Sequence, residues 1–82
     1  MSTKSRFEFM MMQAEAFYEI DKERVSYWKG YMQGLRRAYH GEKFGTAAEH
    51  QFFLSLITDP DADRQQIGIG YRDGLAALGK NK

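Results

Sequence analysis

Gly30-Tyr31-Met32-Gln33-Gly34-Leu35 and Gly70-Tyr71-Arg72-Asp73-Gly74-Leu75 are two copies of one pattern, each preceded at six residues by an arginine, Arg24 and Arg64. The unit Arg-x5-Gly-Tyr-x-x-Gly-Leu recurs at an offset of 40 residues, with Asp21 and Asp61 in the same register. Read as helices, the two runs suggest two helical hairpins related by a pseudo-repeat, although the segments before each run do not align with one another. A glycine inside a helix costs about 1 kcal/mol relative to alanine, and close backbone approach is the usual compensation. Helices two and four are therefore expected to cross at Gly34 and Gly74, with Tyr31 and Tyr71 beside the crossing. Room for a ligand or a partner is the alternative use of the same glycines. Gly68 and Gly70 predict a weakened, kinked fourth helix.

Working outward, helix punctuation divides the rest of the chain. A first helix is expected over about 5–20. Asp21 can cap a second over 21–40, which stops at Gly41, where glycine can turn left-handed. Thr46-Ala47-Ala48-Glu49 is a capping box for a third helix to about residue 57. Asp59-Pro60 supplies an N-cap and a proline at N1 for a fourth over 60–78, followed by a frayed tail, Lys80-Asn81-Lys82. No alternating strand pattern or Asn-Gly hairpin competes. The expected fold is all-α, a small bundle of about four helices in a single domain, 1–82, oligomeric in its assembly.

Composition narrows the function classes. The chain has 82 residues, 43% hydrophobic and 15% aromatic, with one proline and no cysteine. A domain of this size buries about 60% of the surface its unfolded chain exposes, which leaves little room for a core and a separate deep active site. Two-domain enzymes, disulfide scaffolds, thiol catalysis and Cys-ligated zinc are excluded. Twelve basic and eleven acidic side chains give a net charge of +1, so no bulk charge draws the chain to nucleic acid or membrane. No apolar run approaches the ~20 residues of a membrane span, and the N-terminus lacks a secretion signal's apolar segment. The expected location is cytoplasmic.

Turned at about 100° per residue, helix two puts Tyr27, Trp28, Tyr31, Leu35 and Ala38 on one half of the cylinder and a basic face on the other. Helix one differs. Phe7, Met10, Met11, Ala14, Phe17 and Tyr18 make one apolar face, while Phe9, Met12, Ala16 and Ile20 lie outside it, and the polar strip is acidic, Glu8, Glu15 and Glu19. A helix apolar nearly all round is central in its own fold or covered by another chain, and the run Met10-Met11-Met12 suits an adaptable binding surface. The residues expected to contact a protein partner are Phe9, Met10, Met11 and Met12 on helix one, with the basic cluster Lys29, Arg36, Arg37, His40 and Lys43. That cluster could also meet nucleic acid, or the acidic strip of a second copy in a homodimer or higher homo-oligomer.

Arg24 and Arg64 fall within apolar arcs, where a buried guanidinium needs an anion. Glu49, Glu15 and Glu19 are the candidate salt-bridge partners. In the sharper alternative, Arg24, Arg64, Tyr31 and Tyr71 converge on a phosphate or carboxylate ligand. His50 beside Glu49 does not form a catalytic dyad, because adjacent helix positions point about 100° apart. Asp59-Pro60-Asp61-Ala62-Asp63 departs from a calcium loop, with Arg64 in place of the required glycine and Gly70 in place of the bidentate glutamate. No metal, no cofactor and no catalytic residue is expected.

In size, absence of cysteine and aromatic richness the chain resembles the small accessory proteins of bacteriophages, among them inhibitors of host defence such as anti-CRISPR proteins, a likeness of composition and not of motif. Excess apolar surface without a catalytic constellation leads to the expected function, a non-enzymatic protein that binds and blocks or modulates a larger partner, and the resemblance implies an anti-defence inhibitor as its form. An oligomeric small-ligand or nucleotide-binding protein with Arg/Tyr-lined sites is the alternative, and binding to a nucleic-acid backbone a second alternative.

Overall fold

A computed structural model describes residues 2–79; the tail expected to fray lies outside the described residues. The first helix, α1, spans Thr3–Ile20 and starts earlier than its sequence marks, because the Ser2 hydroxyl accepts from the Ser5 N–H at 3.1 Å. A short 3₁₀ turn, Lys22–Arg24, separates α1 from α2, Val25–His40. Asp21 is therefore not the cap of α2; its carboxylate accepts the Trp28 indole N–H at 3.2 Å. Gly41 ends α2 with φ of 67°, the stop expected of glycine. After a 3₁₀ turn at Gly41–Lys43, α3 covers Ala47–Ser55, capped as expected by Thr46, whose hydroxyl accepts from the Glu49 N–H at 3.0 Å.

A further 3₁₀ turn, Leu56–Thr58, leads into α4, Ala62–Gly79. The cap of α4 is Asp61, which accepts from the Arg64 N–H at 2.9 Å, while Asp59 accepts from the Asp61 N–H at 2.9 Å and Pro60 stands outside the helix. The expected boundary was thus two residues early: each aspartate holds a downstream N–H, and the one nearer the helix closes it. Among the described residues there is no strand.

α2 and α4 make the most extensive contact in the fold. A Cβ added at Gly30 would fall on the Ile67 carbonyl, and one at Gly34 on the Tyr71 carbonyl; on the other helix, Gly70 faces the Tyr27 carbonyl and Gly74 the Tyr31 carbonyl. Contact numbers rise together on both helices, so they run parallel. Exchanging each residue for its counterpart 40 positions away on the other helix turns the pair 30/67 into 70/27 and the pair 34/71 into 74/31. Backbones this close permit Cα–H···O contacts, which offset part of glycine's cost in a helix. α4 is one unbroken helix despite its glycines, and Gly68 serves a different neighbour, the backbone of Leu56 and Ile57.

α1 lies antiparallel on α2, with Phe7 stacked on Tyr39 at 4.3 Å and Phe17 on Trp28 at 4.7 Å. Met11 and Ala14 from α1, Leu35 from α2 and Leu78 from α4 form the buried core. α3 contributes no buried residue. The Cα envelope measures 38 × 31 × 18 Å, a slab about two helices thick, since a helix with side chains is about 10 Å across. In so thin a slab each helix keeps one side uncovered. On α1 that side is apolar.

Candidate functional site

The outer side of α1 is built from the four apolar residues that its core face cannot use. Phe9, Met12 and Ile20 are 47%, 62% and 73% exposed, and Ala16 is exposed between them. Their spacing, i, i+3, i+7, i+11, makes a seam along the helix. Glu8, Glu15 and Glu19, all exposed, fall along one edge; Gln13 and the half-covered Phe17 fall along the other. Of the consecutive methionines only Met12 belongs to this surface. Met11 is in the core and Met10 packs against it, so neither is the contact residue expected of it. One residue of advance turns a helix by about 100°, which sends adjacent methionines to different sides.

The basic cluster is also divided. Lys29, His40 and Lys43 are exposed, and Arg36 is half-covered. Arg37 turns inward and donates to the Phe44 carbonyl at 3.1 Å, closing the chain after α2. His40 lies among the rings of Phe7, Tyr39 and Phe44. Cationic side chains near the end of α2 also suit its helix dipole.

Arg24 and Arg64 are exposed, contrary to the expected interior or half-buried bridges with Glu49, Glu15 or Glu19. Arg24 falls in the 3₁₀ turn, so its position on a continuous helical wheel is not its real one; its guanidinium stands over Tyr27, 4.3 Å from the ring centroid. Arg64 sits in the first turn of α4 and pairs with Asp59 at 3.0 Å. The hydrogen bond from the Asp61 N–H, aided by Arg64, holds the Asp59 carboxyl below its ordinary pKa. These aspartates are therefore engaged in starting α4.

Tyr31 and Tyr71 diverge. Tyr31 turns to Tyr27 and Trp28 on its own helix, whereas Tyr71 turns to α3, where its ring stacks on Phe53 at 4.7 Å. The four residues expected around one anion are not brought together. Two other groupings form instead. Tyr27 donates to the Asp73 carboxylate at 2.7 Å, and the Tyr71 hydroxyl shares a 2.6 Å hydrogen bond with His50 Nδ1. Sequence reasoning missed the role of Asp73, although its position three residues after Gly70 places it beside the close crossing. His50, which forms no dyad with Glu49, finds its partner on α4.

Burial pushes the Tyr27 phenol up to about 12, with the hydrogen bond to Asp73 and its charge adding to the effect and Arg24 opposing it. Tyr31 is raised by burial and by Asp73, and Tyr71 by burial, with Arg37 opposing. A raised phenol stays protonated in the folded chain after its unfolded counterpart ionises near pH 10. The unfolded state then binds fewer protons, and stability falls as pH rises. The tyrosines' contribution to stability is expected to be full below pH 10 and lost progressively from pH 10 to about 12, the Tyr27 value. Denaturant midpoints across that range check this, and Asp73→Asn should bring the tyrosinate absorbance change to lower pH.

Among the described residues there is no cavity and no cluster of His, Asp or Glu placed to hold a metal ion. No described helix is long and apolar enough to cross a membrane. Comparison with protein-family models, curated proteins and solved structures finds no match to this chain.

Proposed function

We propose that the chain is a non-enzymatic interaction protein, which binds and blocks or modulates a larger protein through the outer side of α1. The observation that carries this is the exposed seam Phe9, Met12, Ala16 and Ile20 on a helix whose opposite side already fills the core. Apolar side chains aligned on one surface contribute to binding when water is removed from them, and large ones at the centre of such a surface dominate affinity. Lys29, Arg36, His40 and Lys43 form a second, charged surface that can steer the encounter. The compositional likeness to phage accessory proteins makes an inhibitor of a host protein the form of this activity we favour. We also read the exchange of the glycine contacts under the 40-residue shift as a pseudo-repeat of α2 and α4. The divergence of Tyr31 and Tyr71, and the separate engagements of Arg24 and Arg64, favour this function over a shared anion site.

The test is the double variant Met12→Glu, Ile20→Glu in affinity capture from the source cell. Both positions are exposed, so the melting temperature should stay within a few degrees of the parent, as surface changes of about 0.5 kcal/mol imply. Partners captured by the parent should be lost from the variant. Undiminished capture counts against the α1 surface. A homodimer in light scattering that the double variant dissociates would reassign the surface to self-association.

A further inference from the structure

Resting on that use of α1, we infer that the occupant of its outer side is an amphipathic helix of another protein, with an apolar seam and lysine or arginine along one edge. The width of the surface argues for a helix. The apolar residues form a single row, bordered by glutamates on one edge and by Gln13 and Phe17 on the other, over a helix of 18 residues. The row itself, from Phe9 to Ile20, runs about 17 Å at 1.5 Å per residue. A long, narrow seam of this spacing is complementary to a second helix lying along it.

Charge fixes the edge of the partner. Glu8, Glu15 and Glu19 are exposed and lie on the same side of the seam. Two α1 helices paired antiparallel through this seam would set those glutamates along their own copies, and like charges in a forming interface oppose association. Paired parallel, the acidic edge would meet the edge of Gln13 and Phe17, whose cation, Arg6, is already engaged in donating to the Ala77 carbonyl at 3.2 Å. The basic cluster of a second copy does not supply the missing half either. Among the described residues the exposed large apolar ones are Phe9, Met12, Phe17, Ile20 and Phe52, none of them on α2, so the surface carrying Lys29, Arg36 and His40 has no comparable apolar row to cover the seam. A foreign helix with both features satisfies the whole surface.

Two synthetic helical peptides with the same leucine seam, one with lysine along its edge and one with glutamate, test this by fluorescence anisotropy on the intact chain. The lysine peptide should bind about tenfold more tightly, since three edge pairs each contribute modestly at an exposed site. Most of that difference should vanish near 1 M salt, where the screening length falls to about 3 Å. The variant Glu8→Gln, Glu15→Gln, Glu19→Gln should equalise the two peptides with its helical circular dichroism unchanged. Met12→Glu, Ile20→Glu should lose both. Equal binding of the two peptides to the parent, with both lost from the double variant, overturns the basic partner while leaving the docking surface standing. Lysine-peptide binding that survives the double variant overturns both proposals. No binding by either peptide overturns the helical occupant, as does a dimer that the double variant separates.

Discussion

Gly34→Ala is expected to destabilise the protein by about 3 kcal/mol, although alanine is the better helix former by about 1 kcal/mol. The added methyl group would fall on the Tyr71 carbonyl, with the Leu75 nitrogen at 2.9 Å. Both obstacles are backbone in the opposing helix, so a rotamer change cannot relieve them and the two helices must separate. Separation loosens the contact on which the rest of the fold is assembled. A domain this small has only about 4–12 kcal/mol of stability in total, so the loss should appear as a large fall in urea midpoint followed by far-ultraviolet circular dichroism. Gly74→Ala, which meets the Tyr31 carbonyl and the Leu35 nitrogen, should behave alike. Gly79→Ala is the control, because nothing among the described residues stands within 4 Å of its added carbon. An unchanged or raised midpoint in Gly34→Ala would mean that α2 and α4 do not approach so closely.

Tyr71→Ala should cost about 3–5 kcal/mol, the range for emptying a buried aromatic site. The ring is 2% exposed and joins α4 to α3 through Phe53 and His50. Since α3 has no buried residue of its own, its attachment depends heavily on that ring. The variant should therefore lose α3 first, seen as fast amide exchange over residues 47–55 before the α2–α4 crossing melts. Tyr71→Phe separates the two contributions. It keeps the stacking on Phe53 and removes the hydrogen bond, for a loss of about 1 kcal/mol. Equal losses in both variants would show that the hydrogen bond, and not the ring, holds α3.

The close crossing was legible in the sequence because its cause is local: glycines four residues apart on one side of each helix remove the atoms that would keep two backbones apart. The two apolar sides of α1 were legible for a similar reason, since Met11 and Ala14 differ from Phe9, Met12 and Ile20 only by rotation about the helix axis. The arginines were misread where the helical wheel was extended past the real helix. Lys22–Arg24 is a 3₁₀ turn, so Arg24 is not carried round with α2, and Arg64 lies at an end of α4 where exposure prevails. The partners of Tyr27 and Tyr71 depend on how α4 is rotated against its neighbours, and pattern within a single helix does not encode that angle. Asp59 and Asp61 illustrate a smaller limit: both are sound caps by residue type, and only the backbone path decides which of them starts α4.

The parallel course of α2 and α4 also bears on how the chain reaches its fold. Two helices that run the same way cannot be joined by a tight turn; the chain must travel back before the second can begin, and α3 with its flanking turns is that return path. The best-packed interface therefore joins residues about 40 positions apart, as where Gly74 meets Gly34. The entropy of closing so long a loop is spent before the glycine contacts can reward it, whereas α1 and α2 meet across a short turn. Folding speed should be governed by that closure, so shortening or stiffening the 41–61 connection is where a faster-folding version of this protein would be found.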